Sequence, residues 1–115
     1  MQRRARYRVY WIERWGRYRI EGIQGRITSW PGIALDTGEW FAWLQRIPSF
    51  AFQARDGSHF TARKETRARG GDYWIAYRHV GGKLRKKYIG PLAQVTSARL
   101  EQIASELETS ARPEA

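Results

Sequence analysis

The pair Gly81-Gly82 constrains the fold of this chain more than any other feature of its sequence. It separates two segments, residues 73–80 and 83–90, in which aromatic and β-branched residues alternate with polar ones. Two glycines in this setting predict a two-residue hairpin turn, because both central positions of that turn need a positive φ. The predicted turn sets the following register: Val80 with Lys83, His79 with Leu84, Arg78 with Arg85, Tyr77 with Lys86, Ala76 with Lys87, Ile75 with Tyr88, and Trp74 with Ile89.

This register divides the hairpin side chains between two faces, since successive residues of a strand point to opposite sides. The first face is aromatic and apolar, with Tyr73, Ile75, Tyr77, Leu84 and Tyr88. The second face is basic and includes one indole, with Trp74, Arg78, Lys83, Arg85 and Lys87. An apolar face is the natural partner of an amphipathic helix. We therefore expect a helix to cover the aromatic face and to leave the basic face exposed.

The sequence supplies such a helix after the hairpin. Thr96 or Ser97 is a suitable N-cap, and an apolar stripe follows at the spacing i, i+3, i+4, i+7, with Leu100, Ile103, Ala104 and Leu107. Upstream of the hairpin, residues 49–54 and 59–66 have the composition of strands and are separated by a turn sequence. These segments together predict a sheet of antiparallel strands packed on one C-terminal helix.

The N-terminal part of the chain has a different residue pattern. Residues 7–27 alternate Arg with aromatic or aliphatic residues, which favours strands. A short helix is predicted over residues 37–47, because Asp36 is a suitable N-cap, Glu39 stands at the capping-box position, and Pro48 ends the pattern. The aromatic residues of this helix are expected to pack in a core.

We predict an α+β fold: a three- or four-stranded antiparallel sheet packed on a C-terminal helix, with an N-terminal β-rich or mixed extension and one short helix. The predicted domain organisation has three parts. It comprises an N-terminal segment over residues 1–48, a sheet-plus-helix module over residues 49–110 and a tail over residues 111–115.

The charge of the chain is strongly positive and unevenly distributed. The net charge is +10, and residues 1–95 hold 19 basic and 7 acidic side chains, whereas residues 96–115 hold 2 and 4. Seventeen of the 21 cations are Arg, whose planar guanidinium matches phosphates and guanine edges better than Lys does. Such a charge predicts a polyanionic partner, either nucleic acid or an anionic membrane surface.

The basic face of the hairpin is the predicted contact surface. Directly opposed cations such as Arg78 and Arg85 cost stability, so concentrating them on one face is best explained by an anionic partner. The candidate DNA-binding residues include two from the preceding strand and its end: Arg63, Arg67, Trp74, Arg78, Lys83, Arg85 and Lys87. A β-structure fits the DNA major groove, where Arg can contact guanine and Lys can contact phosphates. Double-stranded DNA is therefore the predicted partner.

Residues 59–107 resemble a known pattern through the segments Gly70-Gly71-Asp72-Tyr73-Trp74 and Lys86-Lys87-Tyr88-Ile89-Gly90. They are similar to small modules of some bacterial LuxR-type transcriptional regulators and of genes carried by mobile elements. The order of three strands and a helix is also similar to the arm-site DNA-binding domain of tyrosine recombinases and to plant ethylene-response-factor domains. The resemblance implies a bacterial regulator or mobile-element accessory protein whose sheet enters the major groove.

The sequence excludes several chemistries. It has no Cys, and its two His residues, His59 and His79, stand apart from any carboxylate cluster, so neither a catalytic site, a metal site nor a cofactor site is expected. No apolar run is long enough for a membrane helix, and we expect a cytoplasmic, nucleoid-associated protein without enzymatic activity. Two alternatives stay open: an RNA-binding protein, and an adaptor or inhibitor that binds an acidic protein partner. A homodimer is also compatible with the sequence.

Overall fold

A computed structural model describes residues 7–22, 28–29 and 33–111 of the chain. It contains seven strands, two α-helices and a 3₁₀ turn. The strands are β1 (Tyr7–Ile12), β2 (Arg17–Gly22), β3 (Thr28–Ser29), β4 (Ser49–Gln53), β5 (His59–Thr66), β6 (Asp72–Val80) and β7 (Lys83–Gly90). The helices are α1 (Gly38–Arg46) and α2 (Ser97–Ala111), and the 3₁₀ turn (Leu92–Gln94) precedes α2. The predicted α+β class is confirmed.

All seven strands belong to one mixed sheet with the order β3-β2-β1-β4-β5-β6-β7. Strand β1 pairs with β4 in parallel, for example Val9 with Phe52, and every other neighbouring pair is antiparallel. The sheet thus crosses the boundary predicted after residue 48, and both predicted units contribute to it. The predicted tail begins at Ala111, which is the last residue of α2, and residues 112–115 lie outside the described residues.

The hairpin of β6 and β7 has the predicted register from Val80–Lys83 through Ile75–Tyr88. The last predicted pair is wrong, because a β-bulge leaves Ile89 without an opposite residue and Trp74 pairs with Gly90 instead. Gly90 has φ +136°, and a Cβ built on it would lie 2.8 Å from Gln94 Cβ. Glycine is therefore required where the bulge meets the 3₁₀ turn.

Both helices pack on the same side of the sheet, and this side contains the core. We call it the covered face. It combines the buried side chains of β4 to β7, together with Val9 of β1 and Ile20 of β2, with the apolar sides of α1 and α2. The buried members on β4 to β7 include Phe50, Phe52, Phe60, Ala62, Trp74, Ala76 and Ile89. The predicted stripe of Leu100, Ile103, Ala104 and Leu107 is buried there, as expected, with 0–1% of each residue exposed.

The predicted choice of face for the C-terminal helix is wrong, however. Helix α2 covers the face of Trp74 and leaves the face of Tyr73, Ile75 and Tyr88 open. The reason lies in the neighbouring strands, because Ala62 pairs with Ala76 and thereby brings the β4 and β5 phenylalanines to the Trp74 side. That side forms a continuous apolar surface across β4 to β7, while the hydroxyl groups of Tyr73 and Tyr77 on the other side donate hydrogen bonds to Glu65.

The caps of the two helices differ in part from the prediction. Helix α1 lies within one residue of its predicted ends, but its N-cap is Thr37, whose Oγ1 accepts a hydrogen bond from Trp40 N (3.3 Å). Asp36, the predicted cap, accepts hydrogen bonds from the backbone N–H and hydroxyl of Ser97. Thr96 caps α2 as predicted and accepts from Arg99 N (3.2 Å). Asp36 therefore links the start of α1 to the start of α2.

In the described part of the chain, neither helix combines the length and the apolar character that a membrane crossing needs.

Candidate nucleic-acid interface

The seven predicted DNA-binding residues lie on two opposite sides of the sheet. Trp74 belongs to the core, where only 1% of it is exposed and its ring centroid lies 5.4 Å from that of Phe50. Arg78 and Lys87 are on the same side and form ion pairs with α2, to Glu108 and Glu106 respectively. The covering helix thus partners these two predicted contact residues with its own carboxylates.

The remaining predicted residues are more accessible. Lys83 is exposed next to the hairpin turn, and Arg85 is half-buried opposite Arg78. Arg63 is exposed and pairs with Ile75, which places it on the opposite side of the sheet from Trp74. Arg67 lies just after β5 and contacts Tyr73 and Tyr88 of that same side. The seven residues therefore do not form one surface.

The side of the sheet opposite the helices carries a different combination of residues. We call it the open face and define it by the register positions of Arg63, Ile75 and Tyr88. Among the described strands it presents five cations (Arg8, Arg17, Arg19, Arg63 and Lys86), four tyrosines (Tyr10, Tyr73, Tyr77 and Tyr88) and two acids (Glu21 and Glu65). Tyr88 is 47% exposed and Leu84 is 42% exposed. Large apolar or aromatic groups are thus accessible among cations.

Glu65 organises the tyrosines at one part of the open face. The Tyr77 hydroxyl donates to Glu65 Oε1 (2.6 Å), and the Tyr73 hydroxyl donates to Glu65 Oε2 (3.1 Å). The hydrogen bond from Tyr77, with that from Tyr73, lowers the pKa of Glu65 against the opposing effect of burial. The carboxylate is therefore ionised at neutral pH and holds two aromatic rings in fixed positions.

An aromatic and cationic cluster lies beside this carboxylate. The rings of Tyr73 and Tyr88 have centroids 5.9 Å apart with a tilt of 37°. The guanidinium of Arg67 lies over the Tyr73 ring, 4.9 Å from its centroid, and donates to the Tyr88 hydroxyl (3.0 Å). The cluster presents ring surface and positive charge at the same place, which is the combination that binds stacked bases and phosphates.

The other side of the open face has a second carboxylate-centred network. Glu21 is 8% exposed and accepts hydrogen bonds from Arg8 Nη2 (3.1 Å) and the Tyr10 hydroxyl (2.8 Å), while Arg19 Nε lies 3.4 Å from its Oε1. At the beginning of β2, Arg17 lies near the ring of Trp15, which is 49% exposed. The N-terminal hairpin thus adds an aromatic residue and cations to the open face.

Strand β4 separates these two groups and presents small or polar side chains to the open face. Ala51 stands between Arg8 of β1 and Thr61 of β5, and Gln53 stands beside Tyr10. The β4 positions of the open face therefore carry neither a ring nor a charge, and they lie between Arg8 of β1 and Arg63 of β5.

The sequence contained a signal for the open face that the hairpin alone did not reveal. Residues 50, 52 and 60 are all Phe, and their alternation marks the buried side of β4 and β5. Extending that alternation into the hairpin through the Ala62–Ala76 pair assigns Trp74 to the core. The tyrosines then become surface residues. The Phe alternation is visible in the sequence, but the pair that extends it into the hairpin is known only from the tertiary structure.

The structure predicts an unusual alkaline titration. Burial and the hydrogen bond to Glu101 raise the pKa of Tyr18 to about 12, and the hydrogen bond to Glu65 with burial raises the pKa of Tyr77 to about 12. Unfolded tyrosines ionise near pH 10. The resulting stabilisation is complete below about pH 10 and is lost as the pH rises towards 12.

In an alkaline titration, part of the rise in phenolate ultraviolet absorbance should therefore occur near pH 12. Circular dichroism at each pH shows whether the chain is still folded. Tyr18→Phe and Tyr77→Phe should each reduce the absorbance change near pH 12. Ionisation of all tyrosines in one step near pH 10, in a chain that is still folded, would contradict this expectation.

Within residues 7–22, 28–29 and 33–111, no three His, Asp or Glu side chains lie close enough together to hold a metal ion. The model of one protein family, described as a domain of unknown function (DUF6788), matches residues 42–102 of this chain. The match includes β4 to β7, most of α1 and the beginning of α2, whereas β1 and β2 precede it. No curated protein and no solved structure matches the chain.

Proposed function

Since the chain belongs to the DUF6788 family of domains of unknown function, we propose its activity from its own geometry: the open face binds single-stranded nucleic acid. The observation that carries this proposal is the presence of cations and accessible tyrosines together on a sheet face that neither of the two described helices covers. Arg63 and Tyr88 stand on either side of Ile75, and Tyr77 stands directly beside Lys86, so cations and rings lie within one or two strands of each other. Proteins that bind single strands use this combination for phosphates and stacked bases.

The two faces differ in their charges. Two cations of the covered face form ion pairs with α2, in the pairs Arg78–Glu108 and Lys87–Glu106. On the open face of the described strands, five cations share two carboxylates, and Arg67 adds a further positive charge at the end of β5. A polyanion is therefore attracted to the open face more strongly than to the side of the sheet that carries the helices.

The width of the sheet favours a single strand over a duplex. Seven strands at a spacing of about 4.8 Å span roughly 29 Å, whereas the DNA major groove is about 12 Å wide. The sheet therefore does not fit the groove as a whole. An unpaired strand is not limited in this way, because its bases can turn towards the tyrosines while its phosphates meet the arginines.

Duplex DNA is the second candidate, and one feature favours it. The last pair between β5 and β6 is Thr61–Tyr77, so residues 78–85 form a two-stranded ribbon beyond that pair. A ribbon of two strands has the width of the major groove, and this one carries Arg78, Lys83 and Arg85. This candidate keeps the predicted role of a small regulator or mobile-element accessory protein.

The two candidates are separated by titrating the full chain into labelled nucleic acids and measuring fluorescence anisotropy at low salt. Single-stranded RNA and DNA of mixed sequence should bind at least about tenfold more tightly than the corresponding duplexes, since each stacked base contributes about 1–3 kcal/mol. Affinity should also decrease steeply with salt, because phosphate contacts release counterions.

Tighter binding to duplex DNA than to single strands would reject the open-face proposal and support the ribbon. Absence of binding to all four nucleic acids would reject both candidates. In that case a protein partner that stays bound after nuclease treatment would identify the chain as an adaptor.

A further inference from the structure

We propose that Glu65, Tyr73, Tyr88 and Arg67 form a base-recognition subsite that prefers guanine. This inference rests on the proposed binding of single strands and specifies one position of the ligand. Glu65 supplies hydrogen-bond acceptors, the two tyrosines supply ring surface, and Arg67 supplies positive charge for the adjoining phosphate. The four residues come from β5, the loop after it, β6 and β7.

The acceptors of Glu65 are held in a fixed position. Each carboxylate oxygen receives one tyrosine hydroxyl, Oε1 from Tyr77 and Oε2 from Tyr73. An ionised carboxylate has about four lone-pair positions, so each oxygen can accept a further hydrogen bond. Because Tyr73 and Tyr77 hold the Glu65 carboxylate in place, little conformational entropy is lost when the carboxylate binds a base.

A fixed negative charge on this face discriminates between the parts of a nucleotide. A phosphate placed beside Glu65 would be repelled, whereas a base that donates hydrogen bonds would be attracted. The phosphate is better placed beside Arg67, whose guanidinium lies over the Tyr73 ring and bonds to Tyr88. The subsite therefore directs the base towards Glu65 and the backbone towards Arg67.

The ring surface for this base is provided by Tyr88. Its side chain is among the most exposed large aromatic or apolar groups of the described chain, at 47%, and its ring lies beside that of Tyr73. Tyr73 stands between Tyr88 of β7 and Glu65 of β5, so a base stacked on Tyr88 would have to extend across Tyr73 to reach Glu65. Stacking alone accepts every base, so the selection depends on the carboxylate.

Guanine fits this acceptor pair best. Its Watson–Crick edge has two adjacent donors, N1–H and the N2 amino group, which can reach the two oxygens of one carboxylate. Uracil and thymine place carbonyl oxygens on both sides of their single N–H donor, and these oxygens are repelled by Glu65. Adenine and cytosine each offer one amino group beside an acceptor nitrogen, which gives one hydrogen bond instead of two.

The test uses a labelled uracil-rich RNA of about ten nucleotides, a length within the usual site size, with one central position changed. Guanine at this position should bind about tenfold more tightly than uracil, and inosine should be intermediate because it lacks the N2 amino group. In Glu65→Gln the guanine preference should fall to about twofold or less, while affinity for the uracil oligomer is retained or increased.

Glu21→Gln is the matched control, because Glu21 is the other open-face carboxylate and also accepts a tyrosine hydroxyl. It should keep the guanine preference. Tyr88→Ala should weaken binding to every oligomer, whereas Tyr88→Phe should restore it, since the ring and not the hydroxyl is used for stacking.

Equal binding of the guanine and uracil oligomers, or a guanine preference that Glu65→Gln leaves unchanged, would overturn this subsite without affecting the proposed function. Failure of all oligomers to bind the unmodified protein would overturn the proposed function itself. A reduced preference in both Glu variants would also overturn the assignment to Glu65.

Discussion

The variant Trp74→Ala is expected to lose about 3–5 kcal/mol of unfolding free energy, the usual cost of truncating a buried Trp. Trp74 is 1% exposed, packs 5.4 Å from Phe50 between ring centroids, and lies beneath the ammonium group of Lys64 at 5.5 Å. Because small domains are stable by only about 5–15 kcal/mol, this loss is a large fraction of the total. Urea denaturation followed by circular dichroism measures it.

Trp15→Ala is the matched control, because Trp15 is 49% exposed and its ring contacts are with Arg17 and Arg19. It should cost about 1 kcal/mol or less. Where Trp74→Ala does not fold, Trp74→Phe gives a smaller loss that can still be measured. If Trp74→Ala retained full stability and lost nucleic-acid binding, Trp74 would be a contact residue and its placement in the core would be refuted.

The second large effect is expected from charge reversal on the open face. The double variant Arg63→Glu/Lys86→Glu should reduce affinity for single-stranded RNA about 1,000-fold at low salt. Each reversal replaces an attraction of about 1 kcal/mol at contact distance in water with a repulsion of similar size. The slope of log affinity against log salt should also become less steep by about 1.4, at about 0.7 for each lost contact with a single strand.

A double variant on the side of the sheet that carries the helices provides the control, because it changes the net charge by the same amount. Arg46→Glu/Lys83→Glu alters two exposed cations, one in the last turn of α1 and one beside the hairpin turn. In about 0.15 M salt its affinity for single-stranded RNA should stay within about threefold of the unmodified protein, because exposed charges farther apart than the Debye length of about 8 Å are screened. If this variant lost binding and the open-face variant kept it, the hairpin ribbon would be the contact surface.

The sequence alone was sufficient for the elements that depend on near neighbours in the chain. Gly81-Gly82 determined the hairpin register over six pairs, because a two-residue turn permits one alignment of its flanking strands. The α2 stripe and its Thr96 cap also follow from residues close in sequence. The division of the hairpin side chains into an aromatic set and a basic set was therefore correct.

Which of these two sets faces the helix was decided only by the tertiary structure. An isolated hairpin has two faces, and the apolar character of Tyr73, Ile75 and Tyr88 favoured that side when the hairpin was considered alone. The pairing of β5 with β6 brings Phe60 and Ala62 to the Trp74 side, and the pairing of β4 with β5 adds Phe50. The apolar area of four strands outweighs that of one hairpin, since the hydrophobic gain grows with the area buried.

The candidate site changed for the same reason. The strong basic charge of the chain indicated a polyanion from composition alone, and that expectation needed no fold. The surface that meets the polyanion depends on which cations the helix covers: α2 places Glu108 beside Arg78 and Glu106 beside Lys87, and it leaves Arg63 exposed. Local alternation determined which side chains share a face, and contacts between residues distant in sequence decided which face stays open.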